Sequence, residues 1–451
     1  MDPSRSGAAT FDDAPPDIGA GDDRLPVVAD RLRAAAARYG TPLYLTDQAA
    51  IDGAIAELAA AFPDPWIRQY SVKANDVSRV VTLATAASAG MGANVVSRGE
   101  WAVARKAGVP NARISLEGVG KTDADLGAAV RAAALGDPLM WVALESADEA
   151  DALIVRALRA GLGRSGRPAL DVLLRLNPDV SPETHAGLAV GAGASKFGMT
   201  ETELTATIER LAATEGAIVP RGIHVHVGSQ LGAVDAWRDA VRRGLAVLGL
   251  LRGGLSDVDT LDLGGGFAVP PFGTPGPGPG RFARELPALL EAIPVDRRPR
   301  RLAIEPGRFV VARAGWLVGS VLHVRERAGT QVVLDTGMTE LIRPALYGGR
   351  HAIVALTSLG RPVDVPGTDR GASPLSRASV HGPICESTDE LAEHDLPELR
   401  RGDLVAIRDA GAYATSMAST YNGRPRPPQV ILTTDGQVTL ARRRGSVAGL
   451  G

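Results

Sequence analysis

Apolar residues fall into short runs along most of the chain, and between the runs they recur at helical spacing. The runs 66–72, 92–96, 113–116, 140–144, 171–175, 222–227, 258–263 and 301–304 are rich in β-branched and other apolar residues. Each has the length of a strand. The stretches between them put apolar residues three or four positions apart. Trp237, Val241, Leu245 and Leu248 would share one face of a helix. This alternation, from about Ile51 onward, predicts an α/β fold with a parallel sheet. A doubly wound open sheet gives a similar pattern, but eight strands in succession favour closure into a (β/α)8 barrel of the TIM type.

After Arg308 the rhythm changes. The runs 316–324, 331–334, 404–407, 429–432 and 437–440 are strand-like, with turn residues between them and little helical pattern. They predict a C-terminal, mostly β domain. An early run, 41–46, precedes the barrel and is expected to join that domain. The organisation read from the chain is a disordered lead-in over 1–25, an N-terminal segment over 26–46 joining the β domain, a barrel over 47–310 and the β domain over 311–451. A Pro/Gly-rich stretch, VPPFGTPGPGPG (269–280), directly follows a barrel strand and is expected as a loop beside the catalytic face, able to move.

Composition narrows the function. Lys and Arg number 49 against 51 Asp and Glu, so no global field favours nucleic acid or an anionic membrane. The chain has one cysteine, Cys385, which excludes an intrachain disulfide and suits a reducing cytoplasm. The first residues lack the basic patch and apolar run of a signal peptide. No stretch has the apolar length of a membrane span. A soluble cytoplasmic protein is expected.

Several residues could carry chemistry. Lys73 closes an apolar strand in YSVKAN (70–75). Strand C-termini form the catalytic face of a barrel, where a partly desolvated lysine can form a Schiff base; a solvated lysine at a strand end is the plain alternative. His224 and His226 in HVHVGSQ (224–230) share a strand face. They read as a metal pair or, more simply, as core histidines satisfied by hydrogen bonds. The next residues, Gly228 and Ser229, could offer an N–H and a hydroxyl to a phosphate. Gly264, Gly265 and Gly266 could direct backbone N–H groups at an anion, or serve only a tight turn. EPGR (305–308) sets Glu305 and Arg308 at another strand end, either as a pyridine-nitrogen partner or as a structural turn with an ion pair. In the β domain Cys385 neighbours Glu386, and a lone cysteine is most often an inert apolar group.

The motifs gain meaning in their order: YSVKAN, RLNPD (175–179), SKFG (195–198), HVHVGSQ, LDLGGGF, EPGR, LIRPALYG (341–348), GPICES (382–387) and GAYATSMASTYNGRPRP (411–427). From about Thr41 to Arg444 the chain resembles the fold-type III, alanine-racemase-like decarboxylases that use pyridoxal 5'-phosphate (PLP), and within them the diaminopimelate decarboxylase family. The resemblance implies that Lys73 carries PLP and that His226 stacks on its ring. It assigns the phosphate to Ser229, Gly266 and the backbone of Pro306, Gly307 and Arg308, with Tyr413 also in contact. Glu305 pairs with the pyridine nitrogen. Arg308, Arg343, Tyr347, Glu386 and Tyr413 match substrate-binding positions. Cys385 matches a proton donor that reaches the other subunit's site, which implies a homodimer with shared active sites and no metal. The implied reaction converts meso-2,6-diaminopimelate to L-lysine and CO2. Ornithine, arginine or a carrier-bound amino acid are alternative substrates, and an inactive regulatory homologue is a remote one. Two departures stand out: Asn94 replaces the usual Asp, and Val190 stands where Thr is expected.

Overall fold

The computed structural model describes residues 24–164, 168–182, 184–193, 195–255, 257–271, 276–363 and 374–450. Most of the expected lead-in, 1–23, therefore lies outside the described residues, as do 272–275 of the Pro/Gly-rich stretch. The first element is a helix, Arg24–Tyr39, absent from the elements read off the sequence. Its buried Leu25, Val28, Ala29, Leu32, Ala35 and Ala36 form a helical stripe. Half of that stripe is alanine, which leaves only a weak periodic signal. Strand β1 (Leu43–Asp47) follows.

Eight strands then alternate with helices: β2 (Ile67–Ser71), β3 (Gly92–Val95), β4 (Ile114–Leu116), β5 (Trp141–Leu144), β6 (Leu170–Leu176), β7 (Ile218–Val225), β8 (Thr260–Asp262) and β9 (Arg301–Ile304). Each pairs with its successor in parallel, and β9 returns to β2 through Ile67 and Ala303, closing the barrel. An open sheet is thereby excluded. The helix Asp235–Arg252 buries Trp237, Val241, Leu245 and Leu248, the face its spacing predicts. Helix starts are fixed by local chemistry: Thr122 and Asp125 form a capping box before Asp123–Ala134, and Ser146 caps Ala147–Arg159. Such caps satisfy otherwise unpaired N–H groups and set where each strand-to-helix turn ends.

The rest of the chain is β10 (Gly315–Glu326), β11 (Thr330–Leu334), β12 (Ile353–Ala355), β13 (Thr357–Ser358), β14 (Arg361–Pro362), β15 (Ser376–His381), β16 (Glu390–Leu396), β17 (Leu404–Ile407), β18 (Gln429–Leu432) and β19 (Val438–Arg442). The main sheet runs β16-β15-β11-β10-β1-β18-β19. The N-terminal strand thus sits in the β domain, antiparallel to β10 and parallel to β18. Alternation along β1 sends Leu43 and Leu45 into one core, with Leu32, Trp316 and Val430, and Tyr44 into another with Leu317, Leu334 and Val405. No helix among the described residues is long and apolar enough to cross a membrane.

The two parts meet where the chemistry is expected. Asn75 donates from Nδ2 to the Gly411 carbonyl at 3.0 Å. The Tyr413 N–H donates to the Ala74 carbonyl at 2.8 Å. A β-domain loop is thereby pinned to the turn that carries Lys73.

Candidate active site

Strand β2 runs into a single 3-10 turn, Val72–Ala74. Val72 and Ala74 are buried, which leaves Lys73 half-buried between them at the wall of a cleft of about 380 Å³. Lys73, His226, Ser229, Gly266, Glu305, Pro306, Gly307, Arg308 and Tyr413 all line this cleft, joined by Ser71, Gly265, Phe267 and Phe309. Residues from β2, from the turns after β7, β8 and β9, and from the β domain converge there, as the catalytic face of a barrel requires.

The floor is acidic and buried. Glu305 takes a hydrogen bond on Oε1 from Asn94 Nδ2 at 2.8 Å. His224 stands between two carboxylates, its Nε2 3.6 Å from Glu305 Oε2 and its Nδ1 3.6 Å from Glu117 Oε2. Trp141 donates to Glu117 Oε1 at 3.1 Å, and the Gly264 N–H donates to Asp262 Oδ1 at 2.9 Å. Burial, reinforced by Asp262 and Glu117, pushes the Glu305 carboxyl well above the carboxylate range. Burial and Glu117 raise Asp262 likewise. Glu117 moves the other way: burial opposes ionisation, but His224 and hydrogen bonds involving Glu305, Trp141 and Ser115 outweigh it. The cluster thus pulls its carboxyls apart, Glu117 downward and Asp262 and Glu305 upward, the usual tendency when like charges share a buried site. Burial also pushes His224 down to about 4 and lowers His226, with Arg175 and Lys73 adding to the latter. Both imidazoles are neutral at pH 7.

The glycine run has a steric as well as a chemical reason. Gly264 and Gly266 have φ of 65° and 100°. A Cβ on Gly264 would lie 2.6 Å from His226 Nδ1, and one on Gly266 would lie 2.6 Å from the Gly228 carbonyl oxygen. Gly264→Ala is expected to cost about 2 kcal/mol of stability from the left-handed backbone and the clash. A urea denaturation curve of the cofactor-free protein checks this.

Across the cleft, Arg308 donates from Nε and Nη2 to Ser229 Oγ at 3.3 and 3.0 Å. Its guanidinium lies 4.7 Å from the centre of the Tyr413 ring, and Tyr413 holds a left-handed backbone, φ 56°. Arg343 and Tyr347 sit on the short helix Arg343–Tyr347, close enough that Arg343, after burial itself, helps lower Arg308 to about 10. Arg343 is buried, and its Nη1 has no hydrogen-bond partner. Two adjacent guanidiniums, one with an unanswered donor, suit an anionic ligand group.

Cys385 and Glu386 are not in the cleft. Both are exposed on the β domain. Tyr421 donates its hydroxyl to Glu386 Oε1 at 2.7 Å, and Asn422 donates from Nδ2 to Cys385 Sγ at 3.3 Å.

Sequence reasoning did not single out Glu117, Asp262 or the lining Ser71, Phe267 and Phe309. The available signal was a solitary acid on the inward face of an apolar strand or at its end, in ISLE and LDL. Among the described residues Glu117, His224 and Glu305 are the one group spaced to hold a metal. The two ring nitrogens of His224 face different carboxylates, Glu117 and Glu305, each at 3.6 Å.

The site fits PLP on its own chemistry. It offers an amine for an aldehyde, a buried acid lacking a cationic partner, a neutral imidazole, a hydroxyl and guanidinium beside exposed backbone N–H groups, and orphaned polar atoms on His224, Asp262 and Arg343. Comparison with known proteins agrees. Residues 48–312 match the family model described as pyridoxal-dependent decarboxylase, pyridoxal binding domain. The chain belongs to this family of PLP-dependent decarboxylases. It is 34% identical to a diaminopimelate decarboxylase of Aquifex aeolicus, over 94% of both chains, and 36% identical to one of Actinosynnema pretiosum, over 91% of this chain and 87% of the other. A solved Helicobacter pylori diaminopimelate decarboxylase complexed with L-lysine superposes with a TM-score of 0.81 at 29% identity, covering 93% of this chain and 98% of that one.

Proposed function

We propose that this chain decarboxylates meso-2,6-diaminopimelate to L-lysine and CO2 with PLP held by Lys73. The observation that carries the reading is the convergence of Lys73, buried Glu305, neutral His226 and Arg308 on one cleft, with Arg343 close behind Arg308. Bound PLP supplies an electron sink for the bond broken at Cα. Lys73 Nζ links to the cofactor and takes up or returns a proton there. Glu305 would pair with the ring nitrogen, and His226 would offer the ring a flat neutral surface. Ser229, Gly266, the backbone of Pro306, Gly307 and Arg308, and Tyr413 bind the phosphate. Arg308, Arg343, Tyr347 and Tyr413 read the distal carboxylate of the substrate, and Glu386 its distal ammonium.

Cys385 acts as the general acid that returns a proton to Cα. Since Cys385 and Glu386 lie exposed and outside the cleft of their own chain, a second copy delivers them, which makes the working unit a homodimer with shared sites. The single thiol suits a reducing cytoplasm.

The test measures CO2 release from diaminopimelate beside ornithine, arginine and lysine. Release from diaminopimelate alone is expected; release only from another amino acid sinks the substrate assignment. Shared sites make a second prediction. Lys73→Ala and Cys385→Ala proteins, each inactive, regain activity when mixed under exchange conditions, toward about a quarter of the wild-type level, because a mixed dimer holds one intact site. No recovery in a mixture shown to contain mixed dimers would place Cys385 elsewhere.

A further inference from the structure

Glu117 belongs to no motif that carries the decarboxylase reading, yet it is buried at the floor of the cleft, 3% exposed. The Trp141 indole fixes one of its oxygens at 3.1 Å, and the other faces His224 Nδ1 at 3.6 Å. Across the imidazole, Nε2 faces Glu305 at 3.6 Å, and neither ring nitrogen has a hydrogen-bond partner. The second oxygen of Glu305 is taken by Asn94, an amide on β3, in register with Ser115 of β4, the strand that leads to Glu117. Asn94 orients Glu305 but brings no charge. Of the two other acids acting on Glu305, Asp262 is buried and raised. Glu117 is the acid of the cluster whose contacts favour ionisation, with Trp141 on one oxygen and His224 facing the other.

We propose that Glu117 is a positioning residue for the cofactor ring, holding beside His224 and against Glu305 a second buried carboxylate that helps to keep the ring nitrogen protonated. The inference rests on the PLP reading above. Lys73 and Arg175 oppose this charge from the cationic side, while Glu145, Asp262 and Glu305 add to it, with His226 neutral. The effect acts at a few ångströms in a water-poor barrel interior, where removing one charge shifts a neighbouring protonation by about one pH unit.

The test loads wild type, Glu117→Gln, and Glu117→Gln combined with Asn94→Asp with PLP. It follows the visible absorbance of the lysine-bound cofactor with pH and measures the PLP dissociation constant by dialysis. Glu117→Gln is expected to lose the visible band about one pH unit lower and to bind PLP about tenfold more weakly. Asn94→Asp restores a carboxyl beside Glu305 from the neighbouring strand and should move both values back toward wild type. His224→Gln removes the imidazole that faces both carboxyls while leaving Glu117, and should shift both values in the same direction as Glu117→Gln. It serves as the decisive variant if Glu117→Gln does not fold by circular dichroism. Wild-type values of both quantities in a folded Glu117→Gln or His224→Gln protein overturn the inference. A wild-type protein with no visible band sinks the cofactor reading itself, a different and separately visible failure.

Discussion

Lys73→Ala yields a folded protein that carries no covalently bound PLP and releases CO2 at least about a thousandfold more slowly than wild type. The side chain is half-buried at the cleft wall, and the turn that holds it is anchored by its neighbours, Val72 and Ala74. Removing the amine therefore deletes the proposed point of attachment and leaves the core intact, so the melting temperature should move little. Loss of the visible cofactor band with an unchanged circular dichroism spectrum is the signature. A retained band would move the attachment to another lysine. Lys121, tied to Glu149 at 3.0 Å with its side chain fully buried, is not free to replace it.

Glu305→Gln is expected to lower kcat by about a hundred- to a thousandfold with a smaller change in KM. The substitution keeps the shape and can still accept the Asn94 hydrogen bond, but it cannot carry the negative charge that a protonated ring nitrogen needs. Its stability effect has the opposite sign. Burial and the neighbouring carboxyls raise Glu305 well above its ordinary range. In the unfolded chain this carboxyl ionises at about pH 4, while in the cofactor-free folded protein burial and the neighbouring carboxyls favour its protonated form. Its cost to folding is absent below the unfolded value and grows as pH rises toward the folded one. Cofactor-free Glu305→Gln should therefore melt above wild type at neutral pH, with the difference vanishing near pH 4. Thermal melts at the two pH values check this, and equal melting at pH 7 would mean that the wild-type carboxyl is not held protonated. Function here is retained against a local gain in stability.

Much of this arrangement was legible from residue order alone. Every barrel strand was marked by its run of apolar residues, because strands buried on both faces carry a continuous signal. The structure places the strand ends within a few positions of those runs, apart from an earlier start to β7. Outside the barrel the signal thins. β15 and β16 place Ala378, Val380, Leu391 and Leu396 in the core but alternate them with Arg, Glu and Asp, as one-sided strands near a sheet edge do. The helix Arg24–Tyr39 hid behind alanines. The cleft was legible where glycine, lysine and arginine clustered in long motifs. Glu117 was not, because a single acid in a short strand has no pattern until the fold brings His224 and Glu305 to it.

The placement of β1 also bears on how the molecule is made. This strand, synthesised before the barrel, pairs on one edge with β10 and on the other with β18. Gln429 of β18 reaches back to hydrogen-bond Thr46, 383 positions earlier. Closing contacts over such a separation is slow and comes late. Leu43, Leu45 and the apolar stripe of the preceding helix must therefore wait, incompletely covered, while the whole barrel is synthesised. A nascent chain interrupted before Gln429 would display that apolar surface to chaperones and proteases, and only a full-length chain can bury it.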